Sequence, residues 1–323
     1  MAYNSVDAPH NCPGPESQLA GQSTPCAGCP NQGACSSGAA AESAAREREI
    51  ANEVKERLSN IRKFILVMSG KGGVGKSTVA SLLARTFAAK QLQTGVVDID
   101  LCGPSIATMM GAEGERVRSA AVGWQPVAVA PNLVCASSAF LMGSLHDALV
   151  WRGPRKNGLI TQLLRDVDWG ELDVLVIDTP PGTSDEHLAI LNFLPIERTA
   201  ALLVTTPQQV ALSAVQKQMQ FCKRLGVPIM GIVENMTSYI CSCCGHSVPI
   251  FPSGKNGKEA INFVSEEYNI PILAKIPVDQ SVGAYCDNGR CPDWLMFEDN
   301  NFESSHPIAS SFLKLAESAT TFK

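Results

Sequence analysis

The chain has 323 residues, enough for one large α/β domain or two smaller ones, and 45% of them are hydrophobic, as expected of an ordinary soluble core. Its net charge of -5 gives no general electrostatic basis for binding nucleic acid. No apolar run approaches the length of a membrane span. The first residues resemble neither a secretory signal nor a mitochondrial transit peptide. These features predict a soluble, cytoplasmic protein without a membrane or nucleic-acid partner.

Twelve cysteines are many for such a chain, and in a reducing compartment clustered cysteines indicate metal or redox chemistry before disulfides. Four of them, Cys12, Cys26, Cys29 and Cys35, lie in residues 1–40, a Pro-, Gly- and Ser-rich extension that we predict to be flexible unless a ligand orders it. Four thiolates suit either Zn²⁺ or an Fe–S cluster. The spacing is not that of a zinc ribbon and mildly favours Fe–S. The alternative is four unrelated cysteines in a disordered tail.

Residues 41–62 are rich in Ala, Glu and Arg and predict a connecting helix. Its apolar residues recur at helical spacing, which indicates one narrow face packed on the main domain at residues 63–323. These apolar residues are Ile50, Val54, Leu58 and Ile61.

A glycine-rich loop at residues 69–78 follows an apolar strand at 64–68 and precedes a helical pattern at 79–87. Because a strand precedes this loop and a helix follows it, the G-x-x-x-x-G-K-[ST] pattern predicts a phosphate-binding loop. The alternative is a glycine-rich turn with a surface lysine. Lys76 is expected to reach the β- and γ-phosphates of ATP, and the Ser77 hydroxyl to ligate Mg²⁺. The predicted nucleotide-binding residues of the loop are Gly70, Gly72, Gly73, Val74, Gly75, Lys76, Ser77 and Thr78.

Acidic residues follow two further predicted strands. Asp98 and Asp100 end one of them, where they could order magnesium-bound water or orient the attacking water, although an aspartate pair can also be simple turn chemistry. Asp178 ends another strand in the manner of a Walker B carboxylate. The Pro-Pro-Gly sequence after it can bring the Gly182 N–H to the γ-phosphate as a switch. Asp185 and Glu186 are interpreted as a helix cap and a first-turn acid.

Strands and helices alternate along the rest of the chain. This alternation predicts an α/β fold with one doubly wound, mainly parallel sheet. The strand predicted at 228–235 ends in Asn235, whose side-chain amide could contact the adenine base.

A second group of cysteines interrupts this pattern at residues 241–244. The C-x2-C pair of Cys241 and Cys244 supplies two thiolates, so two chains could complete a four-thiolate site on a dimer axis. Half of a zinc knuckle and a free-thiol turn remain as alternatives. Cys286 and Cys291 match no ligand spacing and are interpreted as structural.

Lys71, a second lysine in the loop, resembles the deviant Walker A motif of the MinD, ParA and nitrogenase iron protein ATPases. That resemblance implies a dimer in which Lys71 reaches the nucleotide of the partner. The loop, Asp98 and Asp100, the sequence 178–183 and the late C-x2-C together resemble the Mrp/NUBP (ApbC-like) P-loop ATPases from about Lys63 to about Val282. The four-cysteine extension resembles the longer, nucleotide-binding protein 1 type within that family.

The resemblance implies an ATPase scaffold that assembles [4Fe–4S] clusters and transfers them to cytosolic and nuclear apoproteins. It implies one stable N-terminal cluster per chain, one labile cluster bridging two chains, and either a homodimer or a hetero-oligomer with a shorter homologue lacking the extension. The family's late motif is usually Cys-Pro-x-Cys, whereas Ser242 and Cys243 stand between the outer cysteines here. The rival interpretations are an electron donor like the nitrogenase iron protein and a zinc-stapled, nucleotide-switched adaptor.

Overall fold

The structure is a computed structural model that describes residues 8–141, 153–241, 243–251, 260–295 and 306–322. The chain divides into two compact units, Met1–Glu56 and Arg57–Lys323. None of the helices in these described stretches combines the length and hydrophobicity needed to cross a lipid bilayer.

The described part of the first unit consists of turns and helices. A 3₁₀ turn at Thr24–Cys26 precedes α1 at Gln32–Ser36, and α2 spans Ala39–Arg57. The helix predicted at residues 41–62 therefore begins earlier and ends sooner than the spacing indicated. Ile61 instead begins the first strand, where it pairs with Leu172. Its backbone groups are therefore satisfied by hydrogen bonds of the sheet and not by hydrogen bonds within a helix.

The second unit is built on a nine-stranded sheet with the order β10-β9-β8-β1-β7-β2-β6-β5, in which β11 pairs with β9. Its strands are β1 (Ile61–Ser69), β2 (Thr94–Asp98), β5 (Val127–Ala130), β6 (Leu133–Ser137), β7 (Leu172–Asp178), β8 (Thr199–Thr205), β9 (Ile229–Ile240), β10 (Ser247–Pro249) and β11 (Ile272–Val278). A separate hairpin is formed by β3 (Arg118–Ala120) and β4 (Gly123–Gln125).

Helices lie between the strands along the chain, and the last two helices follow β11. They are α3 (Lys76–Ala89), α4 (Ile106–Met109), α5 (Gly153–Arg165), α6 (Asp185–Leu191), α7 (Gln209–Leu225), α8 (Ala260–Tyr268), α9 (Gln280–Asp287) and α10 (Pro307–Thr321). The central strands β7 and β8 are buried along almost their whole length, which accounts for their continuous apolar sequences. The predicted doubly wound, mainly parallel α/β fold is confirmed.

Two boundaries differ from the sequence-based expectation. β9 does not end at Asn235 but continues to Ile240, with Met236 in the left-handed region at φ 57°. The extension forms because β9 gains an antiparallel partner, β10, and because its parallel pairing with β11 resumes at Tyr239. The N-cap of α6 is Ser184, so Asp185 and Glu186 are both first-turn acids. The first part of the helix predicted at 254–268 lies outside the described residues.

The C-terminal helix α10 docks on this sheet through its apolar face, which includes Ile308, Phe312 and Leu315, all fully buried. Its C-terminal carbonyls are held by Lys63 on β1. The Lys63 ammonium donates to the carbonyl oxygens of Ala319 (2.9 Å) and Phe322 (2.6 Å). A cation at this helix end also interacts favourably with the helix dipole.

Replacing Lys63 with Met is expected to lower the free energy of unfolding by about 1–2 kcal/mol, because the helix C-terminus loses a charge-assisted cap that is only partly screened by solvent. Urea-induced unfolding measures the change. Lys217→Met, at an exposed position in α7, is the matched control. Equal stability of the two variants would contradict the capping role.

Candidate functional site

The glycine-rich loop joins the end of β1 to the start of α3 and is shaped by close backbone contacts. Gly75 is the N-cap of α3 and has φ 83°, a left-handed conformation that favours glycine. A Cβ at Gly75 would lie 2.2 Å from Nδ2 of Asn235, and one at Gly70 would lie 2.4 Å from the carbonyl carbon of Ala214 in α7. The loop is therefore packed between β9 and α7 with no room for side chains at these two positions.

A buried carboxylate organises the end of the loop. Lys76 Nζ lies 2.6 Å from Asp178 Oδ1, and Ser77 Oγ donates to Asp178 Oδ2 over 2.6 Å. Lys76 is 7% exposed and Asp178 is fully buried. Burial raises the pKa of Asp178, while the Lys76 charge and the hydrogen bonds from Lys76 and Ser77 lower it. Because the Ser77 hydroxyl and the Asp178 carboxylate are hard oxygen donors side by side, the pair fits Mg²⁺.

Asp98 lies directly beside this carboxylate, since β2 pairs with β7 in the register that aligns Asp98 with Asp178. Both of its oxygens are occupied by the loop that follows β2. Oδ1 accepts from Asp100 N (3.0 Å), and Oδ2 accepts from Ser105 N (2.9 Å) and Ile106 N (3.0 Å). Burial and the Asp178 charge raise the pKa of Asp98 to about 8. Asp98 therefore holds the loop, which leaves Asp100 as the carboxylate of the two that is available to orient water.

Asp100 sits in the held loop and is partly exposed. Burial raises its pKa, and the positive charges of Lys76 and Lys156 act against that shift. The predicted pair of aspartates is thus brought together at one edge of the sheet, and Asp98 is the one whose two carboxylate oxygens hold the loop after β2. The sequence placed both carboxylates at the site without indicating this division.

Two further predicted residues are engaged by protein groups. The Gly182 N–H donates to the Ser69 carbonyl (2.8 Å), and the Gly182 carbonyl accepts from Gln218 Nε2 (3.2 Å). This N–H contacts the residue that ends β1, so a role at a γ-phosphate requires the loop to rearrange. Lys71 is exposed, and its Nζ lies 3.4 Å from Gln208 Oε1, outside the cluster formed around Asp178.

Asn235 donates its amide to the Val74 carbonyl over 2.9 Å, so it fixes the phosphate loop. It also lines a cavity of about 190 Å³, together with Thr78 of the loop. The cavity is also lined by residues that no sequence motif marks, among them Met236, Ile276, Pro277, Val278, Asp279 and Val282. Their signal was positional, because β11 runs parallel to β9 and Ile276 pairs with Asn235. A mainly apolar cavity beside a phosphate loop suits a nucleotide base.

The late cysteines form a turn at the end of β9. Cys241 follows Ile240 directly, and its N–H donates to the His246 carbonyl (2.9 Å), while Gly245 N donates back to the Cys241 carbonyl (2.8 Å). The backbone N–H groups of Cys243 and Cys244 hydrogen-bond the Cys241 thiol and lower its pKa. Cys243 and Cys244 are exposed, and Ser242 lies outside the described residues. The turn thus favours a thiolate at Cys241.

The four N-terminal cysteines lie in the first unit and interact with one another. Burial raises the pKa of Cys35, and the charges of Cys12, Cys26 and Cys29 raise it further, in that order. A hydrogen bond from Ser23 lowers the pKa of Cys26, whose Sγ lies 3.0 Å from Ser23 Oγ. Within the described stretches, no three His, Cys, Asp or Glu side chains are arranged so that they could hold a metal ion. The donor set is four thiols, which is the ligand type that an Fe–S cluster requires.

Fold and site together define a P-loop NTPase: a parallel sheet, a glycine loop at a helix N-terminus, and a buried Lys–Ser–Asp cluster at the strand ends. Residues 60–318 match the family model ParA, which is described as NUBPL iron-transfer P-loop NTPase. The chain belongs to this ParA/NUBPL family.

Relatives and solved structures agree with this assignment. Cytosolic Fe-S cluster assembly factor Nubp1 homologs of Drosophila sechellia and Drosophila melanogaster are each 44% identical over 311 residues, covering 94% of this chain and 97% of theirs. The nucleotide-binding protein of Archaeoglobus fulgidus, solved with ADP, is 35% identical with a TM-score of 0.64, over 76% of this chain and 96% of that one. The MinD ATPase of Pyrococcus furiosus shares the fold, with 23% identity and a TM-score of 0.53 over 80% of this chain and 98% of its own.

The protonated Asp98 generates a pH dependence of stability. Its pKa is about 8 in the folded chain and about 3.9 when unfolded, so between these values the folded state binds more protons. The free energy of unfolding should therefore fall as pH rises from 5 to 8, by at most about 1.4 kcal/mol per pH unit. Asp98→Asn should flatten that slope.

Urea unfolding at pH 5.5, 6.5 and 7.5, with EDTA and without nucleotide, measures this slope. Asp168→Asn, which alters a partly exposed carboxylate paired with Arg57, serves as the control and should keep the wild-type slope. A slope unchanged by Asp98→Asn would show that Asp98 is ionised throughout.

Proposed function

We propose that this protein is an ATP-dependent scaffold that assembles [4Fe–4S] clusters and transfers them to apoproteins of the cytosol and nucleus. The observation that carries the proposal is that one strand carries residues of both predicted sites. β9 holds the phosphate loop through Asn235 and, six positions later, presents the Cys241 turn. The family description and the names of the two Drosophila relatives support the same conclusion.

The nucleotide half of the proposal assigns roles to the cluster around Asp178. ATP lies with its phosphates on the loop 70–78, where Lys76 neutralises the β- and γ-phosphates and the helix N-terminus adds its dipole. Ser77 and Asp178 hold Mg²⁺. Asp100 orients the water that attacks the γ-phosphorus, the bond to the β,γ-bridging oxygen breaks, and ADP and phosphate leave. Asn235 and the cavity beside it receive the adenine base.

The thiol half assigns two cluster sites. Cys12, Cys26, Cys29 and Cys35 hold a resident [4Fe–4S] cluster in each chain. Cys241 and Cys244 give two thiolates to a second [4Fe–4S] cluster, the cargo, and a second chain gives the other two. That chain is a second copy or a shorter homologous ATPase without the N-terminal cysteines. ATP acts by its different affinity for the cluster-holding and cluster-releasing arrangements of the dimer.

Metal content tests the two sites. Iron, sulfide and zinc per chain, with the optical spectrum, should be measured after anaerobic purification and reconstitution. We expect the variant in which Cys12, Cys26, Cys29 and Cys35 are changed to Ser to lose the share of iron and sulfide that belongs to the N-terminal site. The variant Cys241→Ser/Cys244→Ser should lose the separate share that belongs to the second site. Cys222→Ala, at a buried thiol outside both groups, is the control and should retain both shares.

Each other outcome favours a different function. Zinc without iron would overturn the scaffold and favour a nucleotide-switched adaptor. Two iron sites whose bridging cluster stays bound and changes redox state, rather than passing to an apoprotein, would favour an electron donor like the nitrogenase iron protein.

Lys71 tests the proposed dimer. If it serves the partner's nucleotide, Lys71→Met should reduce phosphate release at least tenfold, by analogy with cationic fingers supplied in trans, and leave ATP affinity within about threefold. Titration with a fluorescent ATP analogue and a phosphate-release assay separate the two effects. A parallel loss of affinity and rate would mean that Lys71 acts on the nucleotide of its own chain.

A further inference from the structure

Gln218, on the buried side of α7, contacts the loop after β7 directly. This loop spans residues 179–184, between β7 and α6. Gln218 is fully buried, and its Nε2 donates to the Gly182 carbonyl oxygen over 3.2 Å. Because a carbonyl oxygen can only accept, the contact fixes the orientation of the amide, with Nε2 toward the loop. Gln218 therefore holds the residue whose N–H is the group expected at the γ-phosphate.

The loop after β7 is held at both ends, and its freest backbone lies between them. Thr179 donates its N–H (3.3 Å) and its hydroxyl (2.9 Å) to the Val67 carbonyl in β1. At the other end, Ser184 is the N-cap of α6. The two prolines that follow Thr179 have a fixed φ and no N–H. Gly182 has φ 81°, and a Cβ built there would meet no atom within 4 Å, so this residue is the one that can turn.

The two hydrogen bonds of Gly182 belong to different peptide groups. Its N–H is part of the peptide that joins it to Pro181, and it donates to the Ser69 carbonyl (2.8 Å). Its carbonyl is part of the following peptide and is held by Gln218. Since each peptide is a rigid plane, the first can rotate and turn its N–H away from Ser69 while the second stays bound to Gln218.

α7 also fixes the distance between Gln218 and the phosphate loop. Ala214 lies four residues before Gln218, one turn earlier along the helix. A Cβ at Gly70 would lie 2.4 Å from the Ala214 carbonyl carbon, so the helix backbone and the phosphate loop are in direct contact. The helix that touches the phosphate loop at Gly70 therefore holds the Gly182 carbonyl one turn further on.

The arrangement around Gly182 leaves buried polar atoms unused. The Oε1 atom of Gln218 is buried and has no hydrogen-bond partner among the residues that the structure describes. The same holds for the Oγ atom of Ser69, the residue that receives the Gly182 N–H. A buried polar atom without a partner typically costs about 1–3 kcal/mol. Because this arrangement is incompletely bonded, a second arrangement of the loop can replace it at a lower cost.

We propose that Gln218 is a positioning residue of ATP hydrolysis. It holds the Gly182 carbonyl in place while the preceding peptide turns its N–H from Ser69 to the γ-phosphate, and it does not itself contact the nucleotide. The inference rests on the ATP hydrolysis of the proposed function. Because small displacements of such a group slow the chemical step more than they weaken binding, its loss should act on kcat.

The test compares steady-state ATP hydrolysis by the full-length chain and its variants. Gln218→Met keeps a side chain of similar length in the buried position but removes the amide. It is expected to lower kcat about tenfold, because the Gly182 carbonyl is no longer held, and to leave KM for Mg·ATP within about threefold.

Gly182→Ala tests the turning peptide itself. The added methyl group has room, so its effect comes from the restricted φ and not from a clash. This variant should also lower kcat. Combining it with Gln218→Met should lower kcat by less than the product of the two single effects, because both changes disturb the same movement.

Two control variants lie in the same helix. Gln220 is exposed, and its Nε2 donates to the Tyr268 hydroxyl over 3.2 Å, the same length as the bond from Gln218. Gln220→Met should leave kcat unaltered. Met219 is buried, so Met219→Ala should lower the unfolding temperature and leave kcat unaltered below the unfolding transition. Thermal unfolding of every variant shows whether lost activity follows lost stability.

Three results would overturn the inference, and they are distinguishable. If wild type hydrolyses ATP and Gln218→Met behaves like Gln220→Met, Gln218 does not position the loop and the proposed ATPase stands. If Gln218→Met and Met219→Ala lower kcat alike, each in proportion to its loss of stability, the role of Gln218 is structural. If wild type itself hydrolyses no ATP, the hydrolytic part of the proposed function fails, and this inference fails with it.

Discussion

The nucleotide site depends on one buried carboxylate. Asp178 has no exposure to solvent, and it is stable there because Lys76 and Ser77 supply a charge and two hydrogen bonds within 2.6 Å. Removing one partner of such a buried pair typically costs about 3–5 kcal/mol, because a desolvated charge is left alone. The parallel sheet makes the contact possible by ending β1 and β7 at one edge. The phosphate loop, the start of α3 and the Asp98 loop are all fixed relative to that carboxylate.

The second constraint is the continuity of β9. Its first part lies in the parallel sheet beside β8, and its last part pairs with β10 to carry the cysteine turn. Between them Met236 adopts a left-handed conformation, and the pairing with β11 shifts register there. A bulky residue in this conformation is strained, and it persists only where the surroundings fix it. Asn235 and the cavity wall provide that fixation directly beside the phosphate loop.

The two sets of cysteines are built differently. At residues 241–246 the backbone supplies the order: reciprocal hydrogen bonds close the turn, and N–H groups point at the first thiol. In the first unit the pKa of Cys35 is raised first by burial and then by the charges of Cys12, Cys26 and Cys29. Thiolates that are brought together repel each other, and a bound cation removes that repulsion.

The sequence by itself determined the fold class, the phosphate loop and the acidic strand ends, because each depends on local patterns: continuous apolar strands, glycines at fixed spacing, and side chains next to strand ends. It did not determine what those side chains do. Strand register and packing between segments distant in sequence decided three things. Asp98 holds the loop after β2, Asn235 hydrogen-bonds the Val74 carbonyl, and β9 continues past Met236. The contact between Asn235 and Val74 is the plainest case. Nothing in the local sequence of either residue marks it, because a hydrogen bond between segments 161 positions apart has no signature in either one.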